Sequence, residues 1–284
     1  MAAGPQTARA RRVIVTRPAD EAASWVDALR QRGWPVLALP LIGIGAPRDP
    51  EALAALQRAR AQWRTFDALM FVSAAAVQHF FADSAALAGT GGHTRFWAPG
   101  PGTARALGTA LTAHGIDAAR IDAPPATSPQ FDSEHLWPVV ASQMGAGKRL
   151  LVVRGASLDA DGQAQGGIAG SGREWLMARC RERGAGVEAC VAYARSVPAW
   201  SEAQRAQALA ATGADSLWLF SSSEALSHLR SLLPGTDWSA ARALCTHERI
   251  AQAARDTGFG QVVSSRPALD DVLRGLESQQ GSFA

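Results

Sequence analysis

The chain of 284 residues contains a single lysine, Lys148, and a single tyrosine, Tyr193. Schiff-base and pyridoxal-phosphate enzymes need a site lysine. Lys148 stands just before a strand, at the wrong end for a site, so that chemistry is excluded. Cysteine is also scarce. Cys180, Cys190 and Cys245 are an odd number without CxxC spacing, which argues against a disulfide framework or a zinc cage and for a reducing cytoplasm. No apolar run reaches the roughly 18 residues a bilayer span needs. The longest, such as LALPLIGIGA (37–46), are broken by Pro and Gly, which excludes a membrane protein. The net charge is only +3, and Arg9, Arg11 and Arg12 are the one tight basic cluster. Without a basic stripe, finger, basic helix or RNP pattern, nucleic acid is not an expected partner; an anionic small molecule is. The stretch MAAGPQTARARR has no apolar segment after it and reads as a loose tail. GxSxG, HExxH and Walker motifs are missing. His79, His93, His114, His135, His228 and His247 show no metal-ligand spacing.

What is present is an ordinary globular balance, 47% hydrophobic and 19% charged, in a length that suits two domains at about 100–200 residues each. VIVT (13–16) reads as a buried strand, Asp20 as the cap of a helix running to Arg32, and VLALP (36–40) as the next strand. This is a βαβ unit and implies a parallel sheet. A helix at 51–62, the strand ALMFV (68–72) and a helix capped by Ser73 follow. Next come the strand FWA (96–98), the turn GPGT (100–103) into a helix, a Pro/Ser-rich loop (124–129) after RID (120–122), and a helix capped by Ser133. The pattern then restarts. RLLVVRG (149–155), a helix at 173–184 and VEACV (187–191) form a second βαβ, with a Gly-rich surface loop expected at 157–172. DSLWLF (215–220), a helix capped by Ser221 or Ser222, RALCT (242–246), QVVS (261–264) and two further helices complete the chain.

The two halves repeat. VIVTRP…LRQRGWPVLALPLI (13–42) resembles LLVVRG…CRERGAGVEACVAY (150–193), so that Arg17 aligns with Arg154 and Ile42 with Tyr193. DALMFVSAAAV (67–77) resembles DSLWLFSSSEAL (215–226), and WAPGPGTARAL (97–107) more faintly resembles ALCTHERIAQA (243–253). Open parallel sheets bind ligands beyond the carboxyl ends of their strands. The residues expected there are Arg17, Ser73, Gly100, Gly102, Thr103, Ser133, Arg154, Gly155, Ser221, Ser222, Thr246, Arg249 and Ser264–Arg266. The set is rich in Ser, Thr, Gly and Arg and holds one obvious histidine, His247. Helix N-termini with hydroxyl caps are ready anion sites, although Ser or Thr at any one helix start is equally an ordinary cap. Arg17 and Arg154 could each meet a ligand anion or a neighbouring acidic side chain. Such a site would work through geometry and electrostatics more than through a strong nucleophile.

With these pieces in order, the chain resembles the uroporphyrinogen-III synthase family. The resemblance rests on VIVTRPADEAASWVDALRQRGWPVLALPLI, DALMFVSAAAVQHFF, WAPGPGTARAL, SEHL, LLVVRGAS, WLMARCRERGAGVEACVAYAR, LWLFSSSEAL and SRPALDDVL, which span about residues 13–277. The tail and the 157–172 insertion depart from the family, and Arg249 stands where the family often carries Thr. The resemblance implies two similar doubly wound parallel-sheet α/β lobes with a cleft between them. One would be residues 1–40 plus 195–284 and the other 45–190, joined by linkers at 40–44 and 192–196. It implies a lyase of porphyrin and haem biosynthesis that closes hydroxymethylbilane, a carboxylate-rich linear tetrapyrrole, through an azafulvene and a spiro intermediate, inverting ring D with loss of water. No cofactor or metal is expected. Motif matching carries over Tyr193 and Thr103 as catalytic candidates. Arg17, Ser73, Gly100, Gly102, Arg154, Gly155, Ser221, Ser222, Thr246 and Arg249 become substrate-binding candidates. The expected setting is a cytoplasmic monomer, with no nucleic-acid or membrane partner and with transient contact to the preceding pathway enzyme. Two other classes fit the residues alone: a two-lobed module that binds an anion without turnover, and, more distantly, a sugar-nucleotide transferase.

Overall fold

The computed structural model describes residues 12–82, 92–158, 164–165 and 173–280. In chain order its strands are β1 (Arg12–Val15), β2 (Val36–Ala38), β3 (Gly43–Gly45), β4 (Ala68–Phe71), β5 (Arg95–Trp97), β6 (Ile121–Asp122), β7 (Arg149–Leu158), β8 (Ala164–Gln165), β9 (Gly186–Ser196), β10 (Ser216–Phe220), β11 (Arg242–Cys245) and β12 (Gln261–Ser264). Its α-helices are α1 (Ala19–Gln31), α2 (Pro50–Gln62), α3 (Ala74–Phe81), α4 (Pro101–Ala113), α5 (Ser133–Val140), α6 (Glu174–Glu182), α7 (Glu202–Leu209), α8 (Ser223–Leu232), α9 (Glu248–Thr257) and α10 (Leu269–Gln280). The chain forms two compact units: a terminal unit, Met1–Gly43 with Val197–Ala284, and a central unit, Ile44–Ser196. No described helix is long and apolar enough to cross a membrane.

The terminal unit carries a sheet in the order β2-β1-β10-β11-β12, with each adjacent pair parallel. The central sheet runs β6-β5-β4-β7-β9-β3, with β8 antiparallel beside β7. The repeated segments hold matching places. β1 lies between β2 and β10 as β7 lies between β9 and β4, and β11-β12 continue from β10 as β5-β6 continue from β4.

Strands covered on both faces must be apolar at successive positions, which explains the short runs VIV and ALMF. In the central sheet, Leu69, Phe71, Phe96, Leu151 and Val153 pack with Leu56, Phe80, Phe81, Leu107 and Leu111 of α2, α3 and α4. Their neighbours Ala68, Met70, Trp97, Leu150 and Val152 turn to Leu136, Val140, Leu176 and Cys180 of α5 and α6. In the terminal unit, Val13, Val15, Leu217 and Leu219 meet α1 and α10. Trp218, Phe220, Trp238 and Phe259 form a connected group of aromatic contacts. Each such large side chain contributes on the order of 1.5–3 kcal/mol when buried.

Several local expectations change. Pro18, not Asp20, takes the N-cap position of α1; Asp20 and Glu21 fall in the first turn, where their charge suits the helix dipole. Asp132 rather than Ser133 caps α5, because its carboxylate reaches the His135 amide at 2.9 Å. That helix stops at Val140 and tightens into a 3-10 turn at Ala141–Gln143. Ser222, not Ser221, caps α8. The expected linkers are strand in part: residues 43–44 belong to β3 and 192–196 are the end of β9, while 40–42 are irregular. β7 continues to Leu158, into the expected loop, and gives those residues pairing partners at Ala156↔Ala194 and Ser157↔Arg195. Most of the Gly-rich stretch at 157–172, and the N-terminal tail, lie outside the described residues.

The only lysine is engaged at the amino end of the central sheet. Asp67 accepts from Lys148 Nζ at 2.9 Å and from the Arg149 amide at 2.8 Å, tying the start of β4 to that of β7. Burial disfavours the carboxylate, but these bonds and the charges of Lys148 and His93 outweigh it and hold Asp67 below its ordinary value. A depressed carboxyl stabilises the fold above its unfolded value of about 3.9 and loses that contribution as pH falls through the folded value. Asp67→Asn is therefore expected to cost about 1–3 kcal/mol in urea unfolding at pH 7. The gap to the parent chain should narrow below about pH 4; a constant gap into acid would assign the loss to packing.

Candidate functional site

Both sheets have a point where the chain winds away in opposite directions, and ligands of open parallel sheets bind beyond the strand carboxyl ends at such points. In the central unit it lies between β4 and β7. From β4 the chain proceeds through α3 to β5, and from β7 through α6 to β9 on the other side.

Three candidates meet there. β4 and β7 pair at Phe71↔Val153, so Ser73 and Gly155 each lie two residues further along their chains. β7 and β9 keep step from Arg149↔Gly186 to Arg154↔Val191 and then shift to Gly155↔Tyr193, leaving Ala192 as the extra residue of a bulge. A bulge re-aims the side chain that follows it. Strict alternation would separate Tyr193 from Ala192, yet both pack in the core cluster facing α2, α3 and α4. The Tyr193 ring is buried, with 5% of its surface exposed, and its hydroxyl lies 3.2 Å from Ser73 Oγ. Ser73 Oγ also caps α3 by accepting the Ala76 amide at 3.2 Å. Either hydroxyl can donate in this pair; with Ser73 as donor, the phenol proton is left for another acceptor.

Gly155 is required by this arrangement. A Cβ there would stand 2.4 Å from Tyr193 Cζ and within 2.8 Å of both Cε atoms. His79, which the sequence offered only as a helix residue without metal spacing, stacks on the Tyr193 ring at 5.9 Å between centroids and 29° between planes.

The GPGT turn opens α4, with Gly100 at the cap position and Pro101 at the first helical position. Gly100 has no side chain to accept a bond, so the amides of Gly102 and Thr103 start the helix without a side-chain cap. Thr103 is buried, with 8% exposed. A Cβ on Gly102 would meet nothing within 4 Å, whereas one on Gly100 would meet Phe131 Cβ at 3.0 Å.

Arg154 does not join this group. It lies on the other face of β7, where Nη1 is 3.2 Å from Glu174 Oε1 and 3.7 Å from Met177 Sδ, both on α6. Burial pulls the guanidinium below its ordinary value while Glu174 opposes that shift. An arginine enclosed in this way is held by its own fold.

The terminal unit places its candidates beyond β1, β10 and β11. Thr16 Oγ1 donates to Leu219 O at 2.6 Å and closes the end of the β1–β10 pair. Arg17 folds back along α1, with Nη1 2.7 Å from Glu21 Oε2 and the guanidinium 4.2 Å from the Trp25 ring centroid. Ser222 Oγ accepts the Glu224 amide, and Ser221 precedes it, half-buried. Thr246 is buried and its amide donates to Phe220 O at 3.1 Å. His247 caps α9 through Nδ1, which accepts the Arg249 amide, while Arg249 is exposed. The cysteines are no reservoir of nucleophiles: burial pushes Cys180 up to about 11 and Cys190 and Cys245 up to about 12.

Residues 23–274 match the family model described as uroporphyrinogen-III synthase HemD. The uroporphyrinogen-III synthase of Salmonella typhimurium (strain LT2) is 30% identical over 272 residues, covering 93% of this chain and 99% of that protein. The crystal structure of uroporphyrinogen-III synthetase from Helicobacter pylori 26695 shares the fold, with a TM-score of 0.50 at 16% identity, covering 95% of this chain and 99% of that one. With a match through most of its length and a relative aligned nearly end to end, the chain belongs to the uroporphyrinogen-III synthase family, lyases of haem biosynthesis.

Proposed function

We propose that this chain closes hydroxymethylbilane to uroporphyrinogen III, with Tyr193 donating the proton that lets the terminal hydroxyl leave as water. The observation that carries this reading is the Ser73–Tyr193 hydroxyl pair at the strand carboxyl ends of the central sheet, 3.2 Å apart. A pyrrole nitrogen lone pair pushes out the hydroxyl, the C–O bond breaks, and the phenol proton completes the water. The azafulvene carbon then bonds to the substituted position of ring D; the spiro intermediate fragments and recombines with that ring inverted. The proton lost as the last pyrrole regains aromaticity balances the one Tyr193 gave. The substrate supplies the electron push, so the protein's part is to hold one donor and to orient the chain of rings.

The substrate's carboxylates need donors. The uncapped amides of Gly102 and Thr103, with the Thr103 hydroxyl, fit that need at the N-terminus of α4. On the terminal unit, Arg17, Ser221, Ser222, Thr246 and Arg249 are assigned the same role, by position at the strand ends. Arg154 serves the fold, and Gly155 acts through Tyr193. The enzyme is read as cytoplasmic on the basis of its three free thiols.

Purified protein given freshly made hydroxymethylbilane should yield the type III isomer without added metal or nucleotide, as read by oxidation and isomer separation. Product confined to the spontaneous type I isomer would refute the assignment. Tyr193→Phe, which keeps the ring and removes the hydroxyl, should lose about tenfold or more in turnover with little change in melting temperature. Retained turnover in that variant would return Tyr193 to the scaffold. Gly155→Ala should cost about 1–3 kcal/mol through overpacking and lower activity along with it. Gly155→Ala combined with Tyr193→Ala should cost clearly less than the two single losses together, since the collision is with that ring; if the two losses simply add, the contact is not the cause.

A further inference from the structure

We propose that His79 is a positioning residue for Tyr193, holding the phenol ring at the angle that aims its proton; this rests on the reading of Tyr193 as donor. Two other contacts restrain that side chain. The Gly155 backbone closes one approach to the ring, and Ser73 Oγ meets the hydroxyl. The first presents only backbone to the ring and the second touches only its tip, so neither lines the ring with a side chain. A planar neighbour does. The His79 and Tyr193 rings stack at 5.9 Å and 29°, inside the range of offset aromatic pairs.

His79 is itself well placed to act as a fixed wall. It lies in the last turn of α3, where its carbonyl and that of Phe80 accept the Arg60 guanidinium of α2, Nε to Phe80 O at 2.9 Å. That helix end is therefore tied to its neighbour. The other end is capped by Ser73, so a single eight-residue helix delivers both the hydroxyl that meets the Tyr193 oxygen and the ring that lies along its side. The adjacent Phe80 and Phe81 fill the core, whereas His79 is half-buried. A misdirected donor loses turnover while substrate binding is kept, which separates this role from a binding role.

Because the chain has one tyrosine, ring-labelled tyrosine gives a single-site NMR signal from the full-length protein. In His79→Ala that signal should move and report faster ring flipping, and kcat should fall about two- to tenfold, the size of one aromatic pair, with KM nearly unchanged. His79→Phe should restore both the signal and kcat. His79→Ala added to Tyr193→Phe should cause no further loss, since the hydroxyl it aims is gone. If His79→Ala melts at assay temperature, His79→Gln removes the ring while keeping the bulk, and the same readouts apply. An unchanged tyrosine signal in the ring-less variant, no rescue by Phe, or an equal loss in both backgrounds would overturn the role of His79 alone. Near-native turnover in Tyr193→Phe would overturn the donor reading, and this role with it.

Discussion

At Gly155 there is no room for even one carbon between β7 and the ring of Tyr193, and the central unit is arranged around that approach. β7 and β9 run for 10 and 11 residues, while their neighbours β4 and β5 have 4 and 3. The long pair carries backbone beyond the carboxyl end of β4, to the level where α3 begins. The one-residue bulge then turns Tyr193 toward α3 instead of α6. Remove the extension and the phenol has no strand to stand on; remove the bulge and it faces the wrong layer; give Gly155 a side chain and the ring cannot lie down. Ser73 receives the hydroxyl because the register sets it level with Gly155.

The two sheets share a strand order but not this device. In the sequence repeat, Pro18 aligns with Gly155 and Ile42 with Tyr193. β2 ends at Ala38, so the terminal sheet has no long extended pair at that place. What it keeps is the set of hydroxyls and amides at helix starts: Ser222 and His247 as caps, and Thr246 buried between them and the strand end. The two sheet ends therefore differ in kind: the Ser73–Tyr193 hydroxyl pair stands on the central one, while the terminal one offers caps and amides.

Short buried strands and their turn residues carry the fold openly. VIVT, ALMFV and LWLF are uninterrupted apolar runs between turn signals, and their repetition gives the matching strand orders of the two sheets. The GPGT turn and the Ser73 cap were equally readable, because Gly, Pro and Ser in those places have local causes. Tyr193 could be located, at a repeat joint, but not its partner: Ser73 is 120 residues away and the two meet only through sheet register. AYARS read as a linker since its strand identity comes from β7 pairing beside it, not from its own composition. Arg17 and Arg154 were undecidable between ligand and neighbour. Glu21, four residues along the chain, was there to be seen for the first, while Glu174 stands 20 residues from the second across unpatterned sequence. His79 gave no signal, because a polar residue on a largely apolar helix has many uses.

Reactive side chains are scarce at the strand ends of the described residues. The sole lysine is tied to Asp67 at the amino end of the sheet, away from the strand ends that bind ligands. The thiols are buried and held protonated. Arg154 is enclosed with Glu174, and Arg17 lies between Glu21 and Trp25. A reaction that needed a strong nucleophile would find none of these placed for it. One whose substrate brings its own electrons needs a single proton at the right angle, which is the part proposed for Tyr193. The burden then falls on orientation, which is what a serine at the tip, a glycine beneath and a flat ring alongside can supply.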